Sequence, residues 1–129
     1  MHWQSHKLKR IVASSLAAEC LALQDGSGSA FYLKSLIEEI FESSVKEMPV
    51  CCITDNKSLV ETVHSSNTLE DKRLIVDIAM MREKLRNKEI ASIEWIEKTH
   101  QLADCLTKKQ ASSEKLRDVL RNGRLKIHL

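Results

Sequence analysis

Three acidic residues stand where an α/β chain usually does its chemistry. Glu19 follows the stripe-forming Leu16 and precedes Cys20 and Leu23, Asp55 ends the apolar run Pro49-Val50-Cys51-Cys52-Ile53-Thr54, and Asp104 opens the segment after a second strand-like run. Ligands of open α/β sheets gather beyond the carboxyl ends of strands, so three such acids could converge on one side of a sheet. Hard divalent cations take oxygen ligands, and a paired-metal phosphodiester site holds several carboxylates a few Å apart around the scissile phosphate. Each acid also has a plainer explanation. Glu19 can be a rim residue that reaches solvent beside a buried helical face. An acid in a first helical turn, as expected of Asp104, commonly just opposes the helix dipole.

The elements that must position these acids follow from residue patterning. Within Pro49 to Asn56, four small or β-branched apolar residues, Val50 to Ile53, follow the chain's one proline, so the pattern predicts a strand buried on both faces and set inside a sheet. Ser14 and Ser15 suit the N-cap of a helix carrying Leu16, Cys20 and Leu23 on one face. Asp25-Gly26-Ser27-Gly28-Ser29 lacks the G-K-[ST] ending of a phosphate loop and predicts a kink between two helices. Leu33, Leu36, Ile37, Ile40 and Phe41 then form a wide apolar stripe, with Glu38, Glu39 and Glu42 as a solvated face.

After Asp55 a short helix with Leu59, Val60 and Val63 inward is expected, then a long helix from Leu69 to Asn87 begun at Thr68. Leu74, Ile75, Ile78, Met81 and Leu85 keep helical spacing on that helix, Met80-Met81 reads as core filling, and Lys72, Arg73, Arg82, Lys84 and Arg86 form a basic face. Glu89 to Glu97 carries enough β-branched and aromatic residues to be read as a strand beside the first, its acids suggesting one wetter face. A last amphipathic helix, Ser112 to Asn122, should stop at Gly123.

Composition sets outer bounds. At 129 residues the chain is expected to form a single domain, and 20 basic against 18 acidic residues leave a formal charge of +2 that neither demands nor excludes a nucleic-acid partner. No run reaches the roughly 18 apolar residues of a membrane span, and the start has no apolar centre like that of a signal peptide. The chain is therefore expected in the cytoplasm or nucleus, and Cys20, Cys51, Cys52 and Cys105, which lack C-x-x-C spacing, are expected to be free, reduced, buried thiols. Cys51 and Cys52 should point to opposite strand faces.

Over nearly its whole length the chain resembles the ribonuclease H domain of copia-type long-terminal-repeat retrotransposon polyproteins. W-x-S is met by Trp3 and Ser5, V-A-x-S-S-x-x-A-E, without its third position, by Val12, Ala13, Ser14, Ser15, Ala18 and Glu19, and D-N-x-S by Asp55, Asn56 and Ser58. Lys72-Arg73-Leu74-Ile75-Val76-Asp77-Ile78 corresponds to a K-R/H-I-D-I segment, and Gln101, Leu102, Ala103, Asp104, Leu106, Thr107 and Lys108 to Q-L-A-D-x-L-T-K. The resemblance implies an α/β ribonuclease H-like fold, truncated at its amino end, with a reduced mixed sheet flanked by helices in one partial domain over residues 1–129. It further implies hydrolysis of the RNA strand of an RNA–DNA hybrid with two Mg2+ ions held by Glu19, Asp55 and Asp104.

Lys7, Lys9, Arg10 and Asn56 are the candidate nucleic-acid contacts, and His100 is a candidate helper of product departure or a surface histidine. The family's first acid lies upstream of W-x-S, and no acid precedes Glu19 here. The site is therefore expected to be one ligand short and its activity weak or absent. The competing expectation is a non-catalytic module for binding or for homo-oligomerisation through an exposed sheet edge.

Overall fold

The structure is a computed structural model that describes residues 1–9, 11–42 and 48–125. The chain divides into two compact units, Val12–Trp95 and Met1–Ile11 with Ile96–Leu129.

The larger unit begins with α1, Ser15–Phe41, whose N-cap Ser14 accepts the Ala17 N–H at 3.1 Å. It continues as one helix over 27 residues, through both glycines, where two helices were expected. The glycines are tolerated because Ser27, between them, is anchored: it is 4% exposed, its hydroxyl donates to the Gln24 carbonyl at 2.8 Å, and Lys84 Nζ donates to it at 3.0 Å. A hydrogen bond to a charged group, worth about 1.5–3 kcal/mol, is comparable to the loss of about 1 kcal/mol at each of the two glycines.

Strand β1, Cys51–Thr54, pairs in parallel with β2, Ser92–Trp95, in the register Cys51 to Ser92 through Thr54 to Trp95. Among the described residues these two strands are the whole sheet, so it is parallel, not mixed, and β1 is an edge strand, not an internal one. Its burial alternates accordingly. Cys52 and Thr54 are buried and Cys51 is exposed, which confirms opposite facing for the two thiols but not burial on both faces.

The crossover between the strands is helical, as parallel pairing requires. Helix α2, Lys57–His64, is capped by Asn56, whose Oδ1 accepts the Leu59 N–H at 3.0 Å. Helix α3, Lys72–Arg86, starts later than expected because Asp71, not Thr68, is its N-cap, accepting from the N–H groups of Arg73 at 2.9 Å and Leu74 at 3.2 Å. It ends in a Schellman-type turn: Lys88 stands at φ 60° while Glu89 N–H donates to the Lys84 carbonyl at 3.0 Å and Lys88 N–H to that of Leu85 at 3.2 Å. Cys20 of α1, Leu59 of α2, and Ile78 and Met81 of α3 are fully buried, and Cys52 and Ile93 of the sheet join the same core.

Two helices show less burial than their patterns suggested. Leu36, Ile40 and Phe41 of α1 are exposed, as are Ile75 and Met80 of α3, so Met80 does not fill the core that Met81 fills. The basic face of α3 is also partly turned inward. Arg82 donates to the carbonyls of Thr62 at 2.7 Å, Val63 at 3.0 Å and Ser65, closing the end of α2.

The smaller unit contains a 3-10 turn at Lys98–His100, the single-turn helix α4, Asp104–Thr107, and α5, Glu114–Asn122. Gly123 stops α5 at φ 64°, the left-handed conformation expected of a terminal glycine. Lys115 Nζ donates to the Thr99 carbonyl at 2.6 Å and so ties α5 to the turn.

Candidate functional site

Asp55 follows β1 directly and is half-buried, beside the first turn of α2. Its backbone carbonyl accepts the indole N–H of Trp95 at 3.2 Å, and Lys57 Nζ lies 5.9 Å from the centre of that indole ring. The end of the parallel pair is thus closed by an aromatic residue and a cation. Asn56, a candidate nucleic-acid contact, spends its side-chain oxygen on the α2 cap.

Glu19 lies on the exposed side of α1, next to the fully buried Cys20. Asp104 belongs to the smaller unit, where it opens α4, and its Oδ2 is 2.6 Å from Lys108 Nζ. A lysine in contact is a poor neighbour for a magnesium ligand, because it competes for the same lone pairs with a fixed positive charge. Among the described residues no three His, Cys, Asp or Glu side chains are grouped so as to hold a metal ion.

Asp104 lines a cavity of about 360 Å³ in the smaller unit with Lys98, Thr99, Gln101, Cys105 and Lys115. A neighbouring one of about 280 Å³ is bounded by His100, Asp118, Asn122 and Arg124. Both have mixed charge, which gives neither a preference for an anion or a cation. His100 Nδ1 lies 3.6 Å from Glu97 Oε2 and 3.1 Å from Thr99 Oγ1, a local arrangement within its own turn. Lys7 and Lys9 are exposed, and Arg10 lies outside the described residues.

Sequence reasoning missed the exposed apolar side chains. On α1, Phe31 is 47% exposed, Tyr32 68%, Ile40 64% and Phe41 54%, and on α3 Val76 is 57% exposed. Helical periodicity does contain this signal, since Tyr32, Leu36 and Ile40 recur at every fourth residue. It cannot say which of two apolar arcs the protein itself covers.

A family model described as CEP250 coiled coil matches residues 60–123. The match covers just under half of the chain. No curated protein and no solved structure matches it. The resemblance to the retrotransposon ribonuclease H domain is overturned by these findings, because the matching family is a coiled coil and neither a retrotransposon nor a ribonuclease H family is found. The motifs behind that resemblance are short and built from common residues such as Ser, Ala, Leu, Asp and Lys. The similarity to a coiled coil is one of helical patterning, for within 60–123 the longest helix, α3, has 15 residues and β2 follows it. No helix is long and apolar enough to cross a membrane among the described residues.

Proposed function

We propose that the chain is a non-catalytic module for helix-mediated association. The observation that carries this reading is the exposed stripe of Tyr32, Leu36 and Ile40 on α1, flanked by Phe31 and Phe41. Large apolar side chains clustered on one helix are the anchors from which helix-in-groove and helix-pair interfaces are built. Similarity of residues 60–123 to a coiled-coil family supports the same class of partner, another helix. Four cysteines outside any disulfide support an intracellular setting, the cytoplasm or nucleus.

Sedimentation velocity of the purified chain from 5 to about 500 μM tests the reading, the upper limit reaching the weak end of specific association. Concentration-dependent assembly, or capture of a helical partner that is lost in Ile40→Glu without loss of helicity, is the expected result. The competing outcome is Mg2+-dependent cleavage of an RNA–DNA hybrid, assayed on the same preparation with Asp55→Asn as control. Cleavage abolished by that substitution would overturn the non-catalytic reading.

A further inference from the structure

The outer face of α3 has an unusual arrangement. Leu74, Asp77, Ile78 and Met81 point into the protein, yet the opposite face carries Ile75, Val76, Ala79 and Met80, all exposed. Lys72 stands one turn before this patch and Glu83 one turn after it, both exposed. All six lie along one side of the helix, in the order cation, four apolar residues, anion.

This order is self-complementary when one copy is turned end for end. A two-fold axis level with Asp77 and Ile78 sets Ile75 against Met80, Val76 against Ala79, and Lys72 against Glu83 of a second copy, each contact occurring twice. A parallel arrangement would instead set Lys72 against Lys72 and Glu83 against Glu83. The helix dipole adds an independent argument. Lys72 opens α3 and Glu83 sits in its last turn, so each charge opposes the dipole of its own helix. Beside an antiparallel neighbour, each lies near the favourable end of the other helix.

We propose that α3 pairs with α3 of a second copy of this chain in an antiparallel, two-fold contact, with Ile75, Val76, Ala79 and Met80 as its centre and Lys72 and Glu83 as its two ion pairs. This deepens the reading of the chain as an association module and rests on it, while assigning the contact to α3 and not α1. Four side chains per copy cover less than the roughly 800 Å² per partner of a standard interface, so the dimer is weak, with a dissociation constant on the order of 100 μM.

Charge exchange tests it on the full chain, by sedimentation equilibrium at concentrations up to about 1 mM, chosen to bracket that affinity. Lys72→Glu and Glu83→Lys each place like charges in both symmetric contacts and should each weaken the dimer about tenfold. The double exchange should restore it. An equimolar mixture of the two single variants should form a heterodimer in preference to either homodimer. Because all the substituted side chains are exposed, circular dichroism should show the same helix content throughout, and recovery in the mixture excludes misfolding as the cause. A dimer indifferent to these exchanges but lost in Ile40→Glu overturns the α3 assignment and leaves the association module standing. A chain that stays monomeric at the highest concentration overturns the proposal, whereas binding to a foreign helix under those conditions would still uphold the broader function.

Discussion

Lys84 Nζ on α3 donates to Ser27 Oγ on α1 at 3.0 Å, at the point where two glycines should have broken α1. The Ser27 hydroxyl donates to the Gln24 carbonyl, and Gln24 Nε2 in turn donates to the Asp77 carbonyl at 3.0 Å. Side chains of both helices therefore meet in one polar chain next to the core. Ser27→Ala leaves the Lys84 ammonium without this acceptor and should destabilise the fold by about 1–2 kcal/mol. Adding Lys84→Met should recover part of the loss, because the cation left without its partner is then gone. Urea unfolding of the four proteins gives the coupling directly, and additive single effects would mean that the two groups do not depend on each other.

The glycines beside Ser27 have the opposite consequence. A Cβ added at Gly26 or Gly28 meets nothing within 4 Å, and neither has a positive φ. Gly26→Ala and Gly28→Ala should each stabilise the protein by about 0.5–1 kcal/mol, through a smaller loss of backbone entropy on folding. Thermal unfolding followed by circular dichroism measures this as a higher midpoint. Either substitution lowering it would show that α1 needs a bend here.

The neighbouring thiols of β1 should behave differently. Cys51 is exposed, whereas Cys52 is buried and its pKa is raised from 9.0, first by desolvation, then by Cys51, with Lys84 acting in the opposite direction. Maleimide should label Cys51 rapidly in the folded protein and Cys52 only after unfolding, which mass spectrometry of the peptides distinguishes. Stability should also depend on pH. The folded protein keeps the Cys52 proton where the unfolded chain has lost it, so this contribution is complete below about pH 9 and declines as pH rises through the raised folded value. Cys52→Val should remove that part of the decline, measured by urea unfolding between about pH 8 and 10.5, a range that brackets the unperturbed thiol.

Particular residues show how far the sequence could be read. Asn56 before Leu59, Ser14 before Ala17 and Gly123 after Asn122 mark helix ends through local hydrogen bonds and backbone conformation, and the structure uses each of them that way. The β-branched and aromatic residues around Ile93 located β2, and its pairing beside β1 followed from a strand, crossover and strand order. The start of α3 was less legible because Thr68 and Asp71 are both acceptable caps, and only one receives the N–H groups. The candidate site was least legible. Motif spacing offered Glu19, Asp55 and Asp104 as partners, but Asp104 folds with the smaller unit and pairs with Lys108.

By itself the sequence determined the start of α1 at Ser14 and the stop of α5 at Gly123, two strands lying side by side, the opposite facing of Cys51 and Cys52, and a balanced charge composition. These depend on interactions a few residues long, or on a period of two or 3.6 that the chain carries in itself. Tertiary structure decided that α1 runs unbroken through Gly26 and Gly28, that Arg82 and Lys84 serve the fold, and which apolar arcs of α1 and α3 are left uncovered. The physical reason is the same in each case. A side chain's burial and its partner are set by residues distant in sequence, such as Ser27 for Lys84, and no local pattern contains their positions.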